Sequence, residues 1–193
     1  MNIIETPIKG LLIIEPKVFK DERGYFLECY NSTQLLEKGI SNIFVQDNES
    51  KSARGTIRGL HYQLAPYAQT KLVRVITGSV YDVAVDLRFN SPTFGKWFGI
   101  ELNEDNKLQL LIPRGFAHGF SVLSDYTVFS YKCDQIYNPQ AERGIRFDDQ
   151  YLNIDWKINK EEAIISSKDM QQADFGNAEF NFKHLIDINS TNI

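Results

Sequence analysis

Lys71-Leu-Val-Arg-Val-Ile-Thr77-Gly-Ser-Val-Tyr81-Asp-Val-Ala-Val-Asp-Leu87 decides the fold. From Tyr81 onward, Tyr81, Val83, Val85 and Leu87 point one way while Asp82, Ala84 and Asp86 point the other. That period of two belongs to a β-strand. The β-branched run Lys71 to Thr77 precedes it, and Gly78-Ser79 reads as a tight turn joining the two. A second pair spans Lys96 to Leu102 and Leu108 to Ile112 across the polar loop Asn103-Glu104-Asp105-Asn106-Lys107. A third spans Gly119 to Leu123 and Tyr126 to Cys133, hinged at Ser124-Asp125. Strands this frequent predict a mainly β fold, an antiparallel sandwich or jelly-roll barrel. Helix is sparse. Ser32 to Lys38 fits a short one, with Asn31 or Ser32 as N-cap and Gly39 as its stop, and the polar region from Lys160 has room for a turn or two.

With 193 residues and no repeat or linker, the chain is expected to form one domain over residues 1–193, with a C-terminal tail from about residue 176. A net charge of −4 argues against a general nucleic-acid binder but leaves room for a local cationic pocket. Cys29 and Cys133 make no spaced framework and read as free thiols. Leu11-Leu12-Ile13-Ile14 is too short for the core of an export signal, and no apolar run approaches ~18 residues. A cytoplasmic protein that does not enter the membrane is expected.

Arg58-Gly59-Leu60-His61-Tyr62-Gln63 sets an arginine and one of only three histidines inside a strand pattern. Histidine exchanges protons near neutral pH, and guanidinium matches phosphate or carboxylate. Pro113-Arg114-Gly115-Phe116-Ala117-His118 resembles the later metal-binding motif of cupin barrels, Pro-x-Gly-x-x-His. The earlier motif is broken, because Gln63 stands where a second histidine is expected and glutamine is a poor ligand for zinc or iron. No metal is expected, which leaves proton transfer or a packed histidine. Tyr131 shares a face with Thr127, Phe129 and Cys133, where packing is the ordinary role of a tyrosine. Arg23, Arg58, Lys71 and Glu142 widen the possibilities, but spacing alone does not bring them together.

The stretches Gln46-Asp47-Asn48, Arg58-Gly-Leu-His61-Tyr-Gln63 and Lys71-Leu-Val-Arg-Val closely resemble dTDP-4-dehydrorhamnose 3,5-epimerases. So do Val83-Ala-Val-Asp86-Leu-Arg88, Ser91-Pro-Thr-Phe-Gly-Lys-Trp97, Ile112-Pro-Arg-Gly-Phe-Ala-His118-Gly-Phe and Ser167-Lys168-Asp169. These motifs run in order over nearly the whole chain. The resemblance implies a cupin-like jelly roll, a homodimer, no cofactor, and inversion of C3 and C5 of dTDP-4-dehydro-6-deoxy-glucose. It implies His61 as base with Asp169 as its orienting partner, and Tyr131 as the acid on the opposite ring face. Lys71 would be the cation beside the C4 oxygen. Arg23 and Arg58 would clamp the diphosphate, and Tyr137 would stack on thymine. Glu28, Gln46, Asp47 and Asn48 would bond the thymine edge or ribose, while His118, Glu142 and Lys168 match ligand-contact positions.

Arg58 and His61 lie three apart, so both face one pocket only if Gly59 bends the strand. The chain also departs from the family at Gln69-Thr70 and Trp156-Lys157, away from the proton path. Three other readings compete: a relative inverting one carbon, a non-catalytic nucleotide-sugar binder, and a metal-dependent cupin. The dimer has a physical argument besides the resemblance, since N-terminal strand edges left unpaired would invite self-association.

Overall fold

The computed structural model describes residues 1–183. In chain order its strands begin with β1 (Asn2–Glu5), β2 (Leu12–Glu15), β3 (Val18–Asp21), β4 (Gly24–Leu27), β5 (Gln46–Ala53) and β6 (Ile57–Gln63). They continue with β7 (Lys71–Thr77), β8 (Ser79–Asp86), β9 (Trp97–Asn103), β10 (Gln109–Ile112), β11 (Phe116–Val122), β12 (Tyr126–Cys133) and β13 (Glu142–Gly144). One sheet runs β1-β2-β10-β7-β12-β5, and a second runs β13-β6-β11-β8-β9. All pairing within them is antiparallel, giving a cupin-like jelly roll.

The strands stand where the alternation predicts, but their partners differ from the expected pairs. In none of the three pairs read from the sequence are the two strands bonded to each other. β7 and β8, β9 and β10, and β11 and β12 each lie in different sheets. Gly78, at φ +83°, turns the chain from one sheet to the other rather than closing a hairpin. A Cβ there would collide with the Tyr126 carbonyl and the hydroxyls of Ser124 and Thr127, so glycine is required.

Both faces of the second sheet are covered, which explains why β8 is buried on both sides. Between the sheets, Val73, Val75, Val80, Ala84, Leu110, Phe116, Phe120 and Phe129 form one core. Phe120 and Phe129 stack there with centroids 4.2 Å apart. Outside it, Leu60, Val83 and Val85 meet Phe147, Leu152, Ile154 and Trp156 of the later chain. Burying each such side chain contributes about 1.5–3 kcal/mol. Trp156 is tied at both ends: its indole N–H donates to the Phe147 carbonyl at 2.7 Å, and its own carbonyl accepts from Ser121. Asp82, read from alternation as opposite the apolar face, therefore points into the barrel.

Helix α1 (Ser32–Glu37) starts as expected, with Asn31 Oδ1 accepting from the Gln34 N–H, and stops before Gly39 at φ +84°. Beyond Lys160 the chain makes a 3-10 turn (Lys160–Glu162) and α2 (Ser167–Met170). Phe182, within the segment read as a tail, is buried against Tyr62, with centroids 6.0 Å apart. The remainder of that tail, residues 184–193, lies outside the described residues.

Candidate active site

Gly59 sets the site's geometry. At φ +128° it adds one residue to β6, the pairing with β11 shifts between His118 and Phe120, and the Gly59–Leu60 peptide is cis. Ile57, Leu60 and Tyr62 consequently face the outer core, leaving Arg58 and His61 together on the accessible side. The open question about that strand is answered by a bulge. A Cβ on Gly59 would sit 2.5 Å from Gly119 Cα and 2.8 Å from the His118 carbonyl. Gly59→Ala is expected to destabilise the fold by about 3 kcal/mol, measured by denaturant unfolding, and to depress turnover by displacing His61.

His61 and Asp169 are joined across 108 residues of chain. Ser166 caps α2, its hydroxyl accepting the Asp169 N–H at 3.0 Å, and this aims the Asp169 carboxylate at β6. Asp169 Oδ1 lies 2.7 Å from His61 Nε2, and Oδ2 accepts the Gly59 N–H at 3.4 Å. Burial would raise the Asp169 carboxyl pKa, but the bonds from His61 and Gly59 outweigh it and hold it below the ordinary value. An ionised carboxylate only accepts, so the Nε2 proton points at Asp169 and Nδ1 keeps a lone pair. The His61 side chain is 31% exposed, open enough to meet ligand and solvent.

Directly opposite His61 in the ladder is His118. It is deeper, 6% exposed, and its Nε2 lies 2.9 Å from Asp82 Oδ2. Burial lowers the His118 pKa, which keeps the ring neutral near pH 7. Asp82 did not emerge as a candidate from the sequence; its signal was a charge alternating with Ala84 on a face that proves to be the barrel interior.

The facing sheet supplies Tyr131 and Lys71. Tyr131 packs on Phe129 at 6.2 Å, and Lys71 Nζ lies 6.0 Å from the Tyr131 ring centroid. Burial raises the Tyr131 pKa, with Cys133 and Glu142 adding to the rise and Arg58 opposing it, so the phenol stays protonated. Burial lowers the Lys71 pKa against the raising influence of Cys133, Asp82 and Glu142. The two sheets meet here: the His118 ring, opposite His61 in its ladder, lies 6.1 Å from that of Phe129, the neighbour of Tyr131 on the facing sheet.

At the rim of the site, the Tyr137 hydroxyl donates to Glu142 at 2.6 Å, and Lys168 pairs with the same oxygen at 2.6 Å. Gln46 accepts the Tyr137 N–H and donates to Asn48, which faces Tyr131 across the ladder. Three candidates lie apart from this cluster within one chain. Asp47 is on the other face of β5, paired with Lys132 at 2.8 Å. Arg23 pairs with Asp21 in its own hairpin, and Glu28 bonds Asn31 and Gln34. Gln63 has a structural duty, donating to the Tyr67 carbonyl and accepting the Asn138 N–H. Among the described residues no group of three or more His, Cys, Asp or Glu side chains is placed to hold a metal ion.

A histidine held by a carboxylate, a protonated phenol on the facing sheet and a buried lysine are groups that suit proton transfer next to a carbonyl. Comparison with known proteins points the same way. The dTDP-4-dehydrorhamnose 3,5-epimerase of Shigella flexneri is 52% identical over 182 residues, spanning 93% of this chain and 99% of that protein. The crystal structure of dTDP-4-dehydrorhamnose 3,5-epimerase from Elizabethkingia anophelis superposes with a TM-score of 0.87 at 54% identity, covering 91% of this chain and 97% of that one. A dTDP-6-deoxy-D-glucose-3,5-epimerase from Legionella pneumophila, solved with dTDP-4-keto-L-rhamnose, gives a TM-score of 0.88 at 48% identity, covering 91% and 93%. The family model of dTDP-4-dehydrorhamnose 3,5-epimerase matches residues 5–177, and the chain belongs to that family.

Proposed function

We propose that this chain converts dTDP-4-dehydro-6-deoxy-D-glucose to dTDP-4-dehydro-L-rhamnose by inverting C3 and C5, a step in dTDP-L-rhamnose biosynthesis. The observation that carries this reading is the His61–Asp169 pair at 2.7 Å on one sheet, with Tyr131 on the other sheet, linked through Phe129 to His118, the ladder partner of His61. A sugar ring between them meets a base on one face and an acid on the other.

The C4 ketone acidifies the hydrogens on C3 and C5. His61 Nδ1 takes the proton from one of these carbons, the C–H electrons move into the enolate, and Asp169 stabilises the imidazolium. Lys71 balances the charge on the C4 oxygen. Preorganised charge of this kind is often the largest catalytic contribution. Tyr131 then delivers its proton to the same carbon from the opposite face. The tyrosinate regains a proton and the imidazolium loses one before the second carbon turns over, an exchange that His61's exposure permits. The reaction needs no metal or organic cofactor, because the ketone supplies the electron sink.

Arg58 is positioned to bind diphosphate, Tyr137 to stack on the base, and Gln46, Asn48, Glu142 and Lys168 to hold the nucleoside and sugar. Arg23 and Glu28 fit only with a second copy. Among the described residues the β3–β4 hairpin pairs with no other strand, and it exposes Phe19 (52%), Tyr25 (56%) and Phe26 (68%). A homodimer would cover these rings and carry Arg23 to the neighbouring pocket, while also shielding the edge strand β1. Light scattering is expected to give twice the chain mass; a monomer at assay concentration overturns this arrangement. The free thiols of Cys29 and Cys133 accord with a cytoplasmic enzyme. Among the described residues no helix is long and apolar enough to cross a membrane.

Incubation with the 4-keto sugar nucleotide in deuterated water tests the reaction. Proton NMR is expected to show deuterium entering at both C3 and C5. Exchange at one carbon alone would make the chain a mono-epimerase, and none at all would leave a binding protein.

A further inference from the structure

We propose that Asp82 is a positioning residue that holds His118 as its Nε2–H tautomer, which leaves Nδ1 as a hydrogen-bond acceptor for a sugar hydroxyl beside His61. The proposal rests on the epimerase reading and deepens it, because the site then selects its sugar by a hydroxyl at C2 or C3.

Asp82 is fully buried on the inner face of β8, between Val80 and Ala84. Its ladder partner is Phe120, two residues beyond His118 on β11, so Asp82 and His118 are diagonal neighbours on one face. Asp82 Oδ2 lies 2.9 Å from His118 Nε2. The rings of Phe120 and Phe129 flank the imidazole at 6.4 and 6.1 Å. A carboxylate only accepts, so the proton between the two groups sits on Nε2, and a neutral ring then keeps a lone pair on Nδ1. That nitrogen is not sealed in. Among the described residues Asp82 Oδ1 is the one buried side-chain nitrogen or oxygen without a hydrogen-bond partner, so His118 Nδ1, which bonds nothing there, touches accessible space. His118 also stands directly opposite His61, which sets their Cβ atoms about 4.5–5.5 Å apart on one side of the sheet. A sugar that meets His61 is therefore within reach of His118.

The other buried carboxylates of the barrel hold the chain together. Asp149 accepts the Leu152 and Phe175 N–H groups, and Asp86 accepts from Arg88, Ser91 and Thr93. The Asp82 carboxylate accepts from His118 alone among the described residues, and its second oxygen is unbonded. A buried charge with a single partner is a costly way to hold a fold. It is an effective way to decide which nitrogen of that partner carries the proton. Two adjacent strands, β6 and β11, thus carry the same device: His61 and His118 each give Nε2 to a carboxylate and keep the Nδ1 lone pair. One lone pair takes a proton from carbon, and the other accepts from a hydroxyl.

Long-range proton–nitrogen NMR on the full chain, with its histidines labelled with nitrogen-15, reads the tautomer; His118 is assigned by its loss in His118→Gln. Near neutral pH the wild type is expected to show His118 protonated at Nε2 and bare at Nδ1. dTDP-glucose, which has hydroxyls at C2 and C3 but no ketone, should shift the Nδ1 resonance, and dTDP alone should leave it in place. In Asp82→Asn the amide also donates to Nε2, so the Nδ1–H tautomer should appear and kcat/KM should fall about tenfold or more, with dTDP affinity within a few-fold of wild type. Exchange of the C5 hydrogen in deuterated water is then compared for 4-keto substrates lacking the C2 or the C3 hydroxyl. On one of these the wild type should lose about tenfold and Asp82→Asn nothing further. A wild-type His118 protonated at Nδ1, an equal response to dTDP alone, or the full Asp82→Asn penalty on both analogues would overturn the proposal. If Asp82→Asn fails to fold, the wild-type tautomer and its response to dTDP-glucose decide the matter. Absence of solvent exchange by the wild type would overturn the epimerase reading, whereas the tautomer and the dTDP-glucose response need no turnover and judge the role of Asp82 separately.

Discussion

His61→Ala is expected to lower turnover about 10²–10⁴-fold while leaving affinity for dTDP within a few-fold of wild type. The split follows from where His61 stands. Its side chain is partly exposed and belongs to neither core, so truncation leaves the packing of Leu60 and Tyr62 intact. The groups proposed to hold nucleotide and diphosphate, Arg58, Tyr137 and Glu142, are untouched. Asp169 loses the partner that lowers its pKa, and the Gly59 N–H remains to hold it. Steady-state kinetics and dTDP calorimetry on one preparation give both quantities. Unchanged turnover rejects His61 as the base, and lost binding with normal catalysis assigns it to the ligand pocket.

Tyr131→Phe should separate proton removal from inversion. Phenylalanine keeps the ring against Phe129 and beneath Lys71 and removes only the hydroxyl. The base on the other face still forms the enolate, so deuterium should continue to enter at a rate within about tenfold of wild type. Inverted product should fall about 10²–10⁴-fold, because no positioned acid serves the opposite face. Cys133, two residues farther along the same face, is fully buried and offers a poor substitute. NMR in deuterated water reads exchange and configuration together. Normal inversion in this variant would assign the acid elsewhere.

The strands were legible because alternation follows directly from pleated geometry, and α1 because Asn31 and Gly39 mark its ends. Their pairing was not. Gly78-Ser79 is good hairpin chemistry, yet it turns the chain between sheets, a choice made by the packing of both layers. Alternation also left open which face of β8 meets the barrel interior. The later chain, through Trp156 and Phe147, covers the outer apolar face, so the face carrying Asp82 points into the barrel. The Gly59 bulge could be anticipated as a requirement, since only an extra residue lets Arg58 and His61 share a side. The approach of Asp169 to His61 had no local signal and was reached through the family resemblance. Arg23 and Glu28 match family positions but lie away from the cluster in one chain, where each bonds its own neighbours in the sequence.

The central claim is that one sugar ring lies between His61 and Tyr131. A crystal structure with the 4-keto sugar nucleotide measures this directly. The account predicts His61 Nδ1 and Tyr131 Oη on opposite ring faces, each ~3–3.5 Å from the C3 or C5 position it serves, with the C4 oxygen at Lys71. A ring with both groups on one face, or with His61 directed at the diphosphate, would contradict it.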